Sequence, residues 1–277
     1  MPLKHSVETH HFEALGTTCG LFGVDVPRVR LLEGEVWVRS MGARLTRFSL
    51  TSELSTLNAG AGRWLRISPQ LEELLRHALR AHEMSGGLVN AAVLPAMRAI
   101  GYTRTLAEGP TVAVLDTARA MPSLPEVLEV RPQAARLTPG AGIDLGGIAK
   151  GWMADRLVEA LGSNSLANLG GDLVATGLGP DGAGWPLGFA GTTLMLLDQG
   201  AATSSVRRRS WGELHHLIDP RTGLPARSGL EEVSVVAAGG FEAEVSAKTA
   251  LLLGRELAPA YCAANVLAWW LDGSHDD

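Results

Sequence analysis

Apolar positions recur along this chain in two rhythms, and the switches between them predict its elements. Residues 12–26 read as a strand with an interruption at Gly16-Thr17. Residues 28–47 carry Leu31, Leu32, Val36, Val38 and Leu45 on a partly apolar face, as a helix would. Trp64-Leu65-Arg66-Ile67 predicts a short strand, with Ser68 as the cap and Pro69 as the first residue of a following helix. That helix has a clear apolar stripe, Leu71, Leu74, Leu75, Ala78 and Leu79, and stops at Gly86-Gly87. Residues 103–142, broken by Pro110, Pro122, Pro125, Pro132 and Pro139, predict a loop-rich connection holding short β-like pieces. Ile143-Asp144-Leu145-Gly146-Gly147-Ile148-Ala149-Lys150 reads as strand end, glycine turn and helix start, the helix running on through Leu157 and Leu161. Residues 165–177 read as two strands about Gly170-Gly171, and further strands are expected at 185–190, 192–203, 231–238 and 266–271. Phe241–Leu253 predicts a helix ending at Gly254, with a shorter one near 256–264. Strands and helices alternate without a regular βαβ period, so an α+β or α/β single domain over residues 1–277 is expected, with residues 1–11 and 273–277 as frayed ends.

Composition narrows the reading. A chain of 277 residues can bury a sizeable core. A net charge of −5 argues against a general nucleic-acid or membrane-surface binder. Residues 1–10 contain no apolar run of the kind a secretory signal has, and no stretch approaches the ~20 apolar residues of a membrane span. A cytoplasmic location is the expectation. Cys19 and Cys262 lie far apart without metal-ligand spacing and read as core thiols.

The chemistry gathers around 143–155. Glycines allow the backbone to approach a ligand, a helix start offers free N–H groups to an anion, and Lys150 adds a full positive charge. A phosphate or pyrophosphate site is one reading of this pattern and an ordinary tight turn is the other. Further motifs accompany it: Ala14-Leu15-Gly16-Thr17, Ser52-Glu53-Leu54-Ser55-Thr56-Leu57-Asn58, Asn168-Leu169-Gly170-Gly171-Asp172, Ala202-Thr203-Ser204-Ser205 and His216-Leu217-Ile218-Asp219-Pro220-Arg221-Thr222-Gly223. In this order, from about residue 12 to about 270, they resemble the ApbE family of FAD:protein FMN transferases.

The resemblance implies a two-lobed fold with FAD in the cleft, and transfer of FMN from FAD to a threonine hydroxyl of an acceptor redox protein with release of AMP. It implies flavin contacts at Leu15, Phe48, Leu88, Val89, Asn90, Asp144, Lys150, Arg209 and Ile218, with Lys150 and His216 serving the chemistry. His215 has no counterpart, and Asp219 is read as fixing its own turn. Several positions depart from the family pattern. Leu15 stands for a methionine, and Val89, Asn90 and Ala91 stand for an aromatic, an acid and a proline. Many members carry an export or lipoprotein signal, which residues 1–10 do not resemble. The resemblance also implies Mg²⁺, held by the Gly147 carbonyl, by an Asp and by a Thr four residues later. Glu244 stands at the Asp position and Lys248 at the Thr position. An ammonium has only donors and cannot ligate. Mg²⁺ is therefore in doubt, and Lys248 is expected to repel it and to supply part of its charge. Because of this departure, two further functions stay open: a non-catalytic or weakly active FAD-binding protein, and an FAD pyrophosphatase.

Overall fold

A computed structural model describes residues 6–116, 118–189, 192–272 and 274–275. Strand β1 (Val7–Ala14) turns into β2 (Thr17–Val24), and helix α1 (Arg28–Leu45) follows. Helix α2 (Glu53–Ala59), strand β3 (Leu65–Arg66) and helices α3 (Pro69–Met84) and α4 (Leu94–Ala99) come next. The proline-rich connection then contributes one helical turn, α5 (Leu124–Val127), and the hairpin β4 (Leu128–Arg131) and β5 (Ala134–Leu137), which pairs with β3. Helix α6 (Ala149–Leu161) leads to β6 (Ser165–Leu169), β7 (Leu173–Thr176), β8 (Trp185–Phe189), β9 (Thr192–Leu196) and β10 (Gln199–Ser205). Three two-residue strands, β11 (Ser210–Trp211), β12 (Leu214–His215) and β13 (Ile218–Asp219), precede a fourth, β14 (Leu224–Pro225). Strand β15 (Glu232–Ala237), helices α7 (Gly240–Leu253) and α8 (Ala258–Asn265), and strands β16 (Ala268–Leu271) and β17 (Ser274–His275) complete the order.

The organising sheet has the order β1-β2-β6-β7-β10-β15-β16-β17. Its neighbours pair antiparallel throughout. This is the α+β arrangement. One face is covered by α1, α6 and α7, whose buried side chains merge with those of α2, α3 and the β3–β5 sheet into one apolar core. The opposite face is closed by the β8–β9 hairpin, which sets Trp185 and Leu196 against Leu173, Val236 and Trp270. Among the described residues no helix is long and apolar enough to cross a membrane.

Three sequence expectations change. Residues 7–11 are not frayed: they pair residue by residue with 20–24 of β2. Ser274 and His275 likewise pair with Leu271 and Trp270, while residues 1–5, 273, 276 and 277 lie outside the described residues. Ile143–Leu145 joins no sheet. A side-chain amide replaces the ladder there: Asn58 Nδ2 donates to the Ile143 carbonyl at 2.9 Å, and Ile143 N–H donates to Asn58 Oδ1 at 2.8 Å. Helix α2 shows in the sequence only as a motif, because seven residues are too few for periodicity to emerge. Its Ser52 cap accepts from Ser55 N–H, the end signal a longer helix would carry.

The contact between α6 and α7 sets the spacing of the side chains they present. A Cβ on Gly151 would run into the carbonyl of Gly240, so only glycine lets these helices approach so closely. Gly239, at the start of α7, offers no capping side chain. Asp155 of α6 supplies the cap instead, accepting from Gly240 N–H at 2.8 Å and Phe241 N–H at 2.9 Å. Burial raises the Asp155 pKa, and those two hydrogen bonds oppose the rise.

Candidate active site

A cleft of about 960 Å³ opens between the α6–α7 side of the sheet and the segment from α1 to α4. It is lined by all of the sequence-predicted flavin, catalytic and metal positions: Leu15, Phe48, Leu88, Val89, Asn90, Asp144, Gly147, Lys150, Arg209, His216, Ile218, Glu244 and Lys248. The folded chain thus brings together residues spread across more than 230 positions of sequence.

Part of the lining is an aromatic wall. Arg47 packs its guanidinium over Phe48 at 4.2 Å and over Tyr102 at 4.5 Å. It also pairs with Asp144. Such stacking suits the flat guanidinium. Arg47 Nη2 is buried without a hydrogen-bond partner, and Phe48, which lines the cleft, is 38 % exposed. Leu15 sits in the β1–β2 turn at φ 55°, followed by Gly16 at φ 70°. Two consecutive positive φ values suit a two-residue hairpin, and Leu15 accepts the left-handed conformation without being a glycine. Val89 belongs to the core, and the Asn90 amide is occupied by Ala92 N–H and the Pro122 carbonyl. These two shape the wall and leave few polar atoms free.

The lining also holds a cluster of charges. Lys150 pairs with Asp172 and stands 3.8 Å from Glu244 Oε1. Burial pushes its ammonium down to about 8, with the Glu244 carboxylate pulling the other way. Lys248 donates to the Gly147 carbonyl, and burial lowers its pKa too, opposed by Glu244 and Asp144. Arg207, Arg208 and Arg209 separate by role. Arg207 turns outward to Glu231, Arg208 reaches the Gly170 carbonyl at 3.2 Å, and Arg209 crosses to the Leu15 carbonyl at 3.4 Å.

The glycine turn differs from the expectation of free N–H groups. Gly146 N–H donates to Asp144 Oδ1 at 2.7 Å, and Gly151 N–H donates to Glu244 Oε2 at 2.8 Å. Carboxylates of the chain itself hold these donors, so the attraction for an anion comes chiefly from the cationic side chains.

His216 lines the same cleft from the loop between β12 and β13. Its Nδ1 is buried and has no hydrogen-bond partner. Burial holds its pKa well below the ordinary 6.5, and the positive charges of Arg209 and Lys248 push the same way. The imidazole is therefore neutral at neutral pH. His215 is structural: its ring bonds the Ala226 carbonyl and Leu217 N–H. Asp219 accepts from Arg221 N–H and its carbonyl from Gly223 N–H, closing its own turn.

A model of the ApbE family matches residues 15–270. The chain belongs to the ApbE family. Two relatives are named FAD:protein FMN transferase. That of Haemophilus influenzae is 25% identical over 265 residues, covering 86% of this chain and 77% of the relative. That of Treponema pallidum is 30% identical over 238 residues, covering 74% and 66%. Among solved structures, the flavin transferase ApbE from Vibrio cholerae superposes with a TM-score of 0.79 at 22% identity, covering 96% of this chain and 94% of its own. The ApbE protein from Thermotoga maritima gives 0.84 at 19% identity, covering 96% and 94%. At these identities the solved structures speak for the fold.

This ApbE-family chain does not offer the oxygen set a divalent cation needs. Mg²⁺ requires near-ideal octahedral coordination by oxygen. Here the Gly147 carbonyl accepts from the Lys248 ammonium, and Glu244 accepts from Gly151 N–H through Oε2 while its Oε1 faces Lys150. Among the described residues, no group of three or more His, Cys, Asp or Glu could hold a metal ion. Glu244 and Lys248 are neighbours one helical turn apart, but Glu244 is 4 % exposed and they are not a solvated surface pair.

Sequence reasoning does not single out Arg47, Tyr102 or Asp172 as site residues. Asp172 lies inside one of the glycine motifs. Arg47 and Tyr102 carry no local signal, because an arginine and a tyrosine 55 positions apart acquire meaning only when stacked.

Proposed function

We infer that this chain is an FAD:protein FMN transferase: it moves FMN from FAD to a threonine hydroxyl of an acceptor flavoprotein and releases AMP. The observation that carries this reading is the neutral His216 imidazole, with Nδ1 free of a hydrogen-bond partner, lining a cleft that also holds Lys150 and Arg209. Family membership and the relatives' names support it.

The flavin ring would lie against Phe48, Tyr102 and Leu15, with Leu88, Val89 and Ile218 as apolar wall. The pyrophosphate would face Lys150, Arg208 and Arg209. The acceptor hydroxyl oxygen attacks the FMN-side phosphorus. As that P–O bond forms, the bond to the bridging oxygen breaks, and the bridging oxygen leaves on AMP. His216 takes the hydroxyl proton, since a free imidazole nitrogen can accept where an imidazolium cannot. Lys150 and Arg209 stabilise charge on the transferring and leaving phosphate oxygens. Asp144 is held by Arg47 and by Gly146 N–H, so its part is to fix the turn beside the phosphates.

The deciding experiment incubates the protein with FAD and a threonine-bearing acceptor and follows the acceptor mass. An FMN-sized adduct together with AMP is the expected outcome. FMN and AMP released without an adduct would mean FAD hydrolysis, and FAD recovered intact would mean a binding protein; either overturns the transferase reading.

A further inference from the structure

Lys248 stands at the position that the resemblance gives to a metal-ligating Thr, and it lines the cleft. Its ammonium donates to the Gly147 carbonyl. A Cβ on Gly147 would press on this same ammonium, which lies directly against the glycine. The carboxylates nearby have partners of their own. Glu244 accepts from Gly151 N–H at 2.8 Å and faces Lys150, Asp144 is paired with Arg47 and bonded to Gly146 N–H, and Asp172 is paired with Lys150. Thr249, the next hydroxyl on α7, bonds back to the Val245 carbonyl at 2.8 Å and turns away.

The charge balance of the cleft agrees. Arg47, Lys150, Arg208, Arg209 and Lys248 face Asp144, Asp172 and Glu244 across it. Arg39 also lines the cleft but is neutralised by Glu35 at 2.7 Å. Two positive charges remain unmatched, and the pyrophosphate of FAD carries two negative ones. A divalent cation would leave the loaded cleft with an excess of positive charge in a poorly hydrated place.

We propose that the Lys248 ammonium is the resident cation of this cleft and that the chain binds FAD without a divalent metal. The proposal rests on the cleft being a flavin site, and the two can fail separately. Protein freed of metal with EDTA is titrated with FAD, by flavin fluorescence, with and without Mg²⁺. The wild-type dissociation constant should change by less than about twofold. The Glu244→Asp, Lys248→Thr double variant should bind about tenfold or more weakly without metal and recover when Mg²⁺ is added. In a second arm, Mn²⁺ is titrated into FAD-free protein and the free-ion electron paramagnetic resonance signal is followed. The wild type should leave that signal unchanged. Loss of Mn²⁺ signal on the wild type, or a gain of about tenfold or more in its FAD affinity on adding Mg²⁺, overturns the proposal. If the double variant does not fold, the two wild-type measurements decide alone. A wild type that binds no FAD under either condition refutes the flavin reading, and with it the metal-free binding of FAD, while the Mn²⁺ arm still decides whether the cleft takes a metal.

Discussion

His216 is held among cations, with a nitrogen buried and unpartnered. A histidine in ordinary surroundings would be half protonated near pH 6.5. In FAD-free protein, histidine-selective NMR should find His216 still neutral at that pH; a half-charged ring there would contradict the assignment. Replacing it by alanine should slow transfer by about 10²–10⁴-fold, the usual contribution of a general base, while FAD affinity stays near wild type. Unchanged transfer by His216→Ala would rule out the base role. Lys150 predicts a different pH effect. Its ammonium loses its proton near 8, so the anion-binding charge is present at pH 7 and fades as pH rises. FAD affinity should therefore be weaker at pH 9 than at pH 7, and equal affinities would count against Lys150 as a phosphate partner.

At the scale of elements, the site depends on how α6 meets α7. Gly151 permits the contact, and Asp155 ties the first N–H groups of α7 to α6. Lys150 and Glu244 lie on these two helices and face each other because of that contact. Asp155→Ala would leave two helix-end donors without their acceptor. A loss of roughly 0.5–2 kcal/mol is expected, read as a lower urea midpoint with unchanged slope. Asp155→Asn keeps one acceptor oxygen and should lose less. If Asp155→Ala were as stable as the wild type, the cap would carry no weight.

At the scale of the molecule, the cleft joins the sheet side to the α1–α4 segment, so a ligand that fills it holds both together. FAD at about 100 times its dissociation constant should stabilise the fold by about 2.7 kcal/mol. FMN lacks the AMP half, which carries the second phosphate, so at equal concentration it should raise the melting temperature less than FAD. Equal shifts would show that the cationic side chains do not engage the pyrophosphate.

The linear order of apolar residues and turn formers suffices for much of this molecule. It locates α1, α3, α6 and α7 and most of the large sheet: the α3 stripe writes its period locally, whereas α7, buried on nearly every face, is marked by its apolar run and its Gly254 stop. Ser68 and Pro69 announce the start of α3, and the cap is there. The motifs indicate the family, and the match over residues 15–270 bears that out. The sequence could not say what Ile143–Leu145 would pair with, because its partner Asn58 is 85 positions away. It could not show that residues 7–11 form an edge strand, since Val7 faces out while Glu8 and His10 are half-buried, and backbone pairing with β2 holds them. Nor could it tell that the Gly146 and Gly151 donors would be taken by Asp144 and Glu244. Charge, burial and hydrogen-bond partners in the cleft are set by distances between segments remote in sequence. Only the tertiary structure decides that His216 is neutral, that Lys248 sits on the Gly147 carbonyl, and that Arg47 stacks on both Phe48 and Tyr102.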